Sequence, residues 1–422
     1  MDSSIKINSS LYKVLILLLV ILSCQSEQLL AQYSMGLHST VLKWIVNYSV
    51  FFMMIYDYLY CGIYKSKDYK WCRIFFIWVI ISVIRGVFEV DCYWTCKQLI
   101  NGILMCSLPL IAIFFRDPLF VSSALRDLNR WMFFLYVFVF VWILPFKYPF
   151  FLLPFIVFYI AFFELLPTKW RLVVLYFFII AFLGLDDRSF LVKIGISFLA
   201  LCAVHFRNHI SDGFVKTIHF IIYLFSIILL TLGLLGSFNV LQDLSKKGME
   251  NVSIKKLDNS GSIATDTRSF IYEDVFGAAL DSGYVVWGNT PARGNYSYFF
   301  FLRGNDDAYE NLNGKYERFA NELVHLNIFT WLGIIGLILY SMIYFSASYL
   351  AVYKSNSFYI KMVGLMIAFH WGYGWIEDVN TFTIQNFWLW MMLAMGLSPQ
   401  FRRMSDKNYE EWFLSIFCTK RS

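Results

Sequence analysis

Apolar residues fall in long blocks along this 422-residue chain, and polar residues collect in the gaps between them. Many blocks reach the ~20 residues that a helix needs to cross a bilayer. Block by block, the pattern predicts about 12 transmembrane helices. They lie near 11–31, 41–64, 71–90, 98–115, 131–146, 149–166, 170–185, 189–205, 217–238, 324–353, 359–376 and 380–397, with Pro145 and Pro154 interrupting two of them. One interruption is long: residues 239–323, between helices 9 and 10. The expected fold is therefore all-α, a polytopic integral membrane protein. Its expected parts are helices 1–9 over 1–238, a loop over 239–323, helices 10–12 over 324–397 and a tail over 398–422.

Within the loop, TDTRSFIYEDVFGAALDSG at 265–283 predicts one helix. Ile271, Val275, Ala278 and Ala279 fall on one face, Thr265 or Asp266 can cap the start and Gly283 can end it. The following GNTPARGNYSYFF contains turn formers at Gly288, Asn289, Pro291, Gly294 and Asn295. Asn295-Tyr296-Ser297 also matches a glycosylation sequon, a three-residue pattern that carries no weight alone.

Composition strengthens the membrane reading. Hydrophobic residues make up 59% of the chain and charged residues 15%, against about half and about a quarter in soluble domains. The net charge of +6 points to basic loops on one membrane side rather than to nucleic acid. With the N-terminus inside, the inner loops hold Lys65, Lys67 and Lys70, then Arg116, Arg126 and Arg130, then Lys169 and Arg171. Arg207 and Lys216, Lys354 and Lys361, and the tail residues Arg402, Arg403, Lys407, Lys420 and Arg421 follow on the same side. Outer turns hold Asp186, Asp187, Glu377 and Asp378. Both termini are thus expected in the cytoplasm, and the long loop outside it. LYKVLILLLVILSC near the start has the look of a signal segment, but the many spans behind it favour an uncleaved first helix.

The eight cysteines are scattered, with no metal-like spacing; Cys92 and Cys96 are the closest pair, and small residues near a helix end explain them as well as a disulfide does. No Walker motif, dinucleotide fingerprint or His-Glu-x-x-His is present, so an ATP-driven pump or metalloprotease has no support.

Charges at membrane depth or at span ends are costly and draw attention. Arg85 and Glu89, four residues apart, are expected to pair within the third span. Arg188 follows LGLDD at an outer boundary, where it either is neutralised by Asp186 and Asp187 or holds an anion in two-pronged fashion. Arg268 sits in the first turn of the loop helix, where the dipole also favours an anion, and Arg293 follows in the glycine-proline turn; either can equally be a solvated loop arginine. The stretch NELVHLNIFTWLGIIG at 321–336 sets Glu322 and His325 on one face if helical, at the doorway of an apolar run. Either group suits a general base at such a boundary. Gly333 and Gly336 would let another helix or a lipid chain approach closely.

The order of these motifs resembles the O-antigen polymerase and O-antigen ligase family of bacterial envelope enzymes. The resemblance rests on DDRS at 186–189, TRSFIYEDVF at 267–276, WGNTPARG at 287–294 and the polar pair leading into Gly-x-x-Gly. Counted back from Gly333, the family's histidine position holds Glu322 here and the next polar position holds Leu323, a departure that points toward a polymerase. The resemblance implies an enzyme of the bacterial inner membrane that needs no metal and no cofactor. Its donor and acceptor would be glycans on undecaprenyl pyrophosphate in the outer leaflet. Membrane lipids, and a chain-length regulator protein, are further partners it suggests; nucleic acid is not. Arg188, Arg268 and Arg293 would bind the pyrophosphate, and Glu322 or His325 would take the acceptor's proton. Trp287, Tyr296, Tyr298, Trp371, Tyr373 and Trp375 could stack on sugars, although an interfacial belt accounts for most of them. A ligase passing glycan to a lipid or protein acceptor is the alternative within the class. A flippase is the alternative outside it, with internal repeats and broken helices expected.

Overall fold

The computed structural model describes residues 39–60, 66–135, 153–183, 188–234, 268–297, 317–376, 381–382 and 384–417. The expected first helix at 11–31 lies outside these residues, as do Asp186, Asp187, Thr265, Asp266, Tyr298, Glu377 and Asp378. The described chain is mostly helical. In order, it forms α1 (Ser39–Tyr60), α2 (Lys70–Phe88), α3 (Tyr93–Cys106), α4 (Pro109–Phe114), α5 (Pro118–Leu135), α6 (Leu153–Ala161) and α7 (Thr168–Leu183). Then come α8 (Arg188–His205), α9 (Asp212–Leu234), α10 (Arg268–Asp281), β1 (Asn295–Tyr296) and β2 (Glu317–Arg318). The chain closes with α11 (Val324–Tyr353), α12 (Phe358–Tyr373), α13 (Ile384–Leu397), α14 (Pro399–Arg402) and α15 (Asp406–Phe417). Among the described residues, three helical segments are long and apolar enough to cross a membrane: Lys67–Phe88, Tyr93–Phe114 and Val324–Tyr353.

Helix α11 is the axis of the fold. It packs against α2, α12 and α13, while α9 packs on α12 and also reaches α11. Trp331, Tyr340 and Trp390 are among the largest fully buried side chains. The outer faces are apolar too: Ile77, Ile80 and Ile84 on α2, and Phe220, Leu224 and Phe225 on α9, are exposed. A helix whose backbone is satisfied internally and whose outer face is apolar suits a lipid surround.

Two expectations shift. Of the helix predicted at 131–146, residues 136–146 lie outside the described residues, and 131–135 close a helix that begins at Pro118, so Arg126 and Arg130 are helical rather than in a loop. Asp117 caps it, its carboxylate accepting from the Leu119 amide at 3.1 Å, and proline is well placed at a first helical position. Val121, Ala124, Leu125 and Leu128 make the buried stripe of an amphipathic helix, and α15 packs on α5. The Arg126 Nε donates to the Ser415 carbonyl at 2.9 Å and the Trp412 indole to the Pro118 carbonyl at 2.7 Å. The expected tail is therefore folded back as helix, through Phe417.

One end of the bundle is laced by charges from the loops that the charge pattern assigns to one side. Arg116 pairs with Asp57 at 2.5 Å, Arg402 with Asp68 at 2.8 Å and Lys361 with Asp212 at 2.5 Å. Arg207 stands 3.8 Å from both Glu164 and Glu410. Asp406 accepts from the Ser357 hydroxyl and the Phe358 amide, each at 2.7 Å.

Candidate functional site

The opposite end is built around a break in α11. Gly333 has φ 68° and ψ −171°, which no helix contains. In a continuous helix the Ile334 amide would bond the Thr330 carbonyl. Here the loop segment after α10 takes both groups: Ile334 N–H donates to the Val285 carbonyl at 2.9 Å, and the Asn289 amide donates to the Thr330 carbonyl at 2.6 Å. The Trp78 indole donates to the Leu332 carbonyl at 2.9 Å. So the close approach at Gly333 admits neither a helix nor a lipid chain, but the backbone of residues 285–289. Gly288 faces Gly333 with φ 74°, and a Cβ on either would overlap the other's backbone.

This strap is fixed from α2. Arg85 donates to the carbonyls of Trp287 at 2.8 Å and Gly288 at 3.2 Å. Glu89 accepts from the Thr290 hydroxyl at 3.1 Å. The expected Arg85–Glu89 pair is thus replaced: each side chain bonds the strap instead. Trp287 stacks on Trp78 with ring centroids 5.1 Å apart.

Helix α10 presents the predicted face. Ile271, Val275, Ala278 and Ala279 are buried. It ends at Gly283, φ 72°, with Tyr284 N–H bonded to the Ala279 carbonyl and Gly283 N–H to the Leu280 carbonyl. That paired pattern is a Schellman stop, which glycine permits.

Beyond the strap, β1 and β2 pair antiparallel, Asn295 opposite Arg318. A buried polar network hangs on them. Asn295 donates to Asp274 at 3.0 Å, and Asn321 donates to the Asn295 side-chain oxygen at 3.1 Å. The Asn327 amide group reaches back, accepting from Asn321 N–H at 2.6 Å and donating to its carbonyl at 2.9 Å. Burial raises the Asp274 carboxyl above the usual range, opposed by nearby Ser297, by Arg318 and by the Asn295 hydrogen bond. Asn295 is fully buried, so its amide is closed to glycosylation in this fold.

The predicted residues separate. Glu322 and His325 do not share a helix face, because Leu323 is extended and α11 begins only at Val324. The turn fixed by Asn327 leaves Glu322 exposed, its carboxylate 3.9 Å from Arg318. His325 is fully buried. Its Nε2 donates to the Trp371 carbonyl at 2.8 Å, and its ring lies 4.4 Å from that of Trp375. Trp371 and Trp375 lie against this histidine, and both are buried, as is Tyr373; of the other aromatics, Trp287 and Tyr296 are half-exposed.

Arg293 is held by Asp91 at 3.1 Å and by Glu317. Burial would lower its proton affinity, but these carboxylates outweigh that and raise it. It works as a tie between the turn before α3 and β2 rather than as an open anion grip. Arg188 and Arg268 are the first residues of α8 and α10, where free backbone N–H groups favour anions. Lys193, near the start of α8, lies 4.9 Å over the Tyr373 ring, and Tyr272 of α10 donates to the Trp375 carbonyl. Both helix starts therefore belong to the same end as Glu322 and the strap.

Asp274, Asn295, Asn321, Asn327 and Arg318 were missed as site residues. Their sequence signal is only a recurrence of asparagine among turn formers; the contacts that unite them join positions such as 274 and 295, or 295 and 321. Comparison with known proteins finds no matching family model, no matching curated protein and no matching solved structure.

Proposed function

We propose that this chain is a membrane-embedded glycosyltransferase, a polymerase that joins oligosaccharide repeat units carried on undecaprenyl pyrophosphate. In this reading about 12 helices span the bacterial inner membrane, both termini are cytoplasmic and the 239–323 loop faces the periplasm. One observation carries the proposal: the starts of α8 and α10, the strap and an exposed carboxylate, Glu322, gather at one end, opposite the end laced by the basic loops. The 20 residues from Ile334 to Tyr353 give about 30 Å of helix, so a break at Gly333 falls near one bilayer face.

The acceptor's sugar hydroxyl attacks the anomeric carbon of the donor. A new C–O bond forms as the bond to the pyrophosphate oxygen breaks, the electron pair leaving with the lipid pyrophosphate. Glu322 is exposed and takes the hydroxyl proton. Arg188 and Arg268, at two helix starts, would offset the charge growing on the leaving group. His325, buried on the Trp371 carbonyl, holds the start of α11 and acts only by positioning. Arg293 keeps the strap's far side in place.

Mass analysis of surface polysaccharide from a deletion strain tests this. Chains of a single repeat unit support a polymerase; long chains left on the lipid carrier mean a ligase; an unchanged polysaccharide rejects both. A transporter is favoured by one feature, the broken helix. The break, however, offers little to a cargo: the strap and Trp78 occupy the Thr330, Leu332 and Ile334 backbone groups.

A further inference from the structure

Lys193 is a cation set in an apolar helix with no anion to meet it. It lies in the second turn of α8, half-buried, between exposed Val192 and buried Ile194. Among the described residues no carboxylate stands within ion-pair distance of it. Its ammonium lies 4.9 Å over the ring of Tyr373, the last residue of α12, and Tyr373 is buried. At the laced end, by contrast, Lys361 has Asp212. A cation–π contact attracts an ammonium but replaces only part of the water that burial removes. Ionisable groups in a membrane-spanning helix face either a charged partner or a substrate path. Lys193 has no such partner, which leaves the path.

The end of α12 also ties Lys193 to the arginines. Two residues past Tyr373, the Trp375 carbonyl accepts from the Tyr272 hydroxyl. Tyr272 comes four residues, one helical turn, after Arg268 on α10, and Arg188 comes five residues before Lys193, about 7.5 Å along α8. One short stretch, 373–375, thus takes contacts from both helices whose starts carry the arginines.

We propose that Lys193 binds the phosphate of a lipid-borne substrate. Charge and surroundings select this chemistry. The missing partner is an anion, and phosphate oxygens suit the compact point charge of a lysine. The adjoining face of α8 is apolar, with Val192 and Leu199 exposed. A free phosphate ion would have to leave water to travel along that face, whereas a phosphate carried on an apolar chain is brought there by the chain. Under the proposed glycosyl transfer, on which this inference rests, the phosphate belongs to the donor's lipid pyrophosphate, and Lys193 adds a cation to Arg188 and Arg268. An ordinary anionic phospholipid offers the same chemistry, and the test separates the two.

The test uses the full chain in nanodiscs of neutral phosphatidylcholine, with undecaprenyl pyrophosphate as probe and binding read by native mass spectrometry. Lys193→Met removes the charge and keeps an apolar stem, so without probe its thermal midpoint should equal or exceed wild type. Its dissociation constant for the probe should rise about 10- to 100-fold, the value of one charged hydrogen bond. Lys193→Arg keeps a cation and should retain most of the affinity, and phosphatidylglycerol should compete only weakly. Unchanged affinity in Lys193→Met overturns the inference; so does a clear fall in its probe-free midpoint, which would mean an internal partner. Competition by phosphatidylglycerol equal to that of the pyrophosphate overturns it as well and leaves Lys193 a contact for bulk lipid. Absence of probe binding to the wild type overturns it too. Affinity lost in Lys193→Met of a protein whose deletion leaves polysaccharide unchanged would retain the phosphate site and reject the polymerase.

Discussion

The two ends of this bundle are held by different forces. At the end of the basic loops, side chains meet side chains: Arg402 with Asp68, Lys361 with Asp212, Arg116 with Asp57. At the other end ion pairs such as Arg293 with Asp91 are joined by an insertion into the backbone of a helix. A loop replaces a helical hydrogen bond of α11 with two of its own, and Arg85 holds that loop by its carbonyls. Ion pairs at a surface tolerate change because each contributes little. A backbone insertion leaves no slack, since every displaced N–H and C=O must find another partner. The rigid arrangement also retains buried atoms with no partner, the Tyr284 hydroxyl and the Asn321 side-chain oxygen, and it is the end where Glu322 stands exposed. The laced end holds the loops together; under the proposed function the inserted end carries the chemistry.

The sharpest way to break the contrast is Gly333→Ala. A Cβ at φ 68° is strained, and it would overlap the Val286 carbonyl oxygen. We expect a loss of about 3 kcal/mol or more in the strap's local stability. Hydrogen exchange should show fast exchange at Asn289 and Ile334, while amides around Asp406 stay protected. Protection retained at Asn289 would mean that the strap does not depend on the break.

A matched pair of substitutions refines the comparison. Arg85→Ala removes two charged hydrogen bonds to carbonyls and should cost about 1.5–3 kcal/mol, read as faster exchange over 285–289. Lys361→Ala removes one pair whose Asp212 partner is 62% exposed, and should cost only about 0.2–1 kcal/mol of thermal stability. Equal effects would erase the distinction.

Acid should separate the ends more gently. Asp274 binds its proton more tightly folded than unfolded, because burial raises its carboxyl. Protonation therefore favours the folded loop. Its stability should rise as pH falls through the folded value and level off below the ordinary carboxylate value of about 4. Exchange at Asn295 and Asn321 against pH would show this, and Asp274→Asn should flatten the profile.

Local pattern foretold much of the fold. The buried face of α10, its stop at Gly283 and most apolar helices follow from periodicity and turn chemistry. The basic loops that the charge pattern placed together do meet. Long-range partners were not legible. Arg85 sits four residues from Glu89, the right spacing for a pair, yet carbonyls 202 and 203 positions away claim it. Glu322 and His325 look like one helix face until Asn327 pulls Asn321 back and delays the helix. In both cases the decisive group is backbone, which a sequence pattern does not display. The apolar stripe from Val121 to Leu128 was legible but was hidden among charges assigned to a loop.

The most direct test of the central claim, that the inserted end carries the chemistry through Glu322, is the length of surface polysaccharide in a deletion strain supplied with Glu322→Gln. The variant keeps shape and loses the proton acceptor at an exposed position, so the protein should insert and fold normally. Loss of a general base slows transfer about 10²–10⁴-fold, and chains should collapse to one or a few repeat units, while Lys361→Ala restores full length. Near-normal chains from a normally expressed Glu322→Gln would contradict the account and leave the exposed carboxylate as no more than the partner of Arg318.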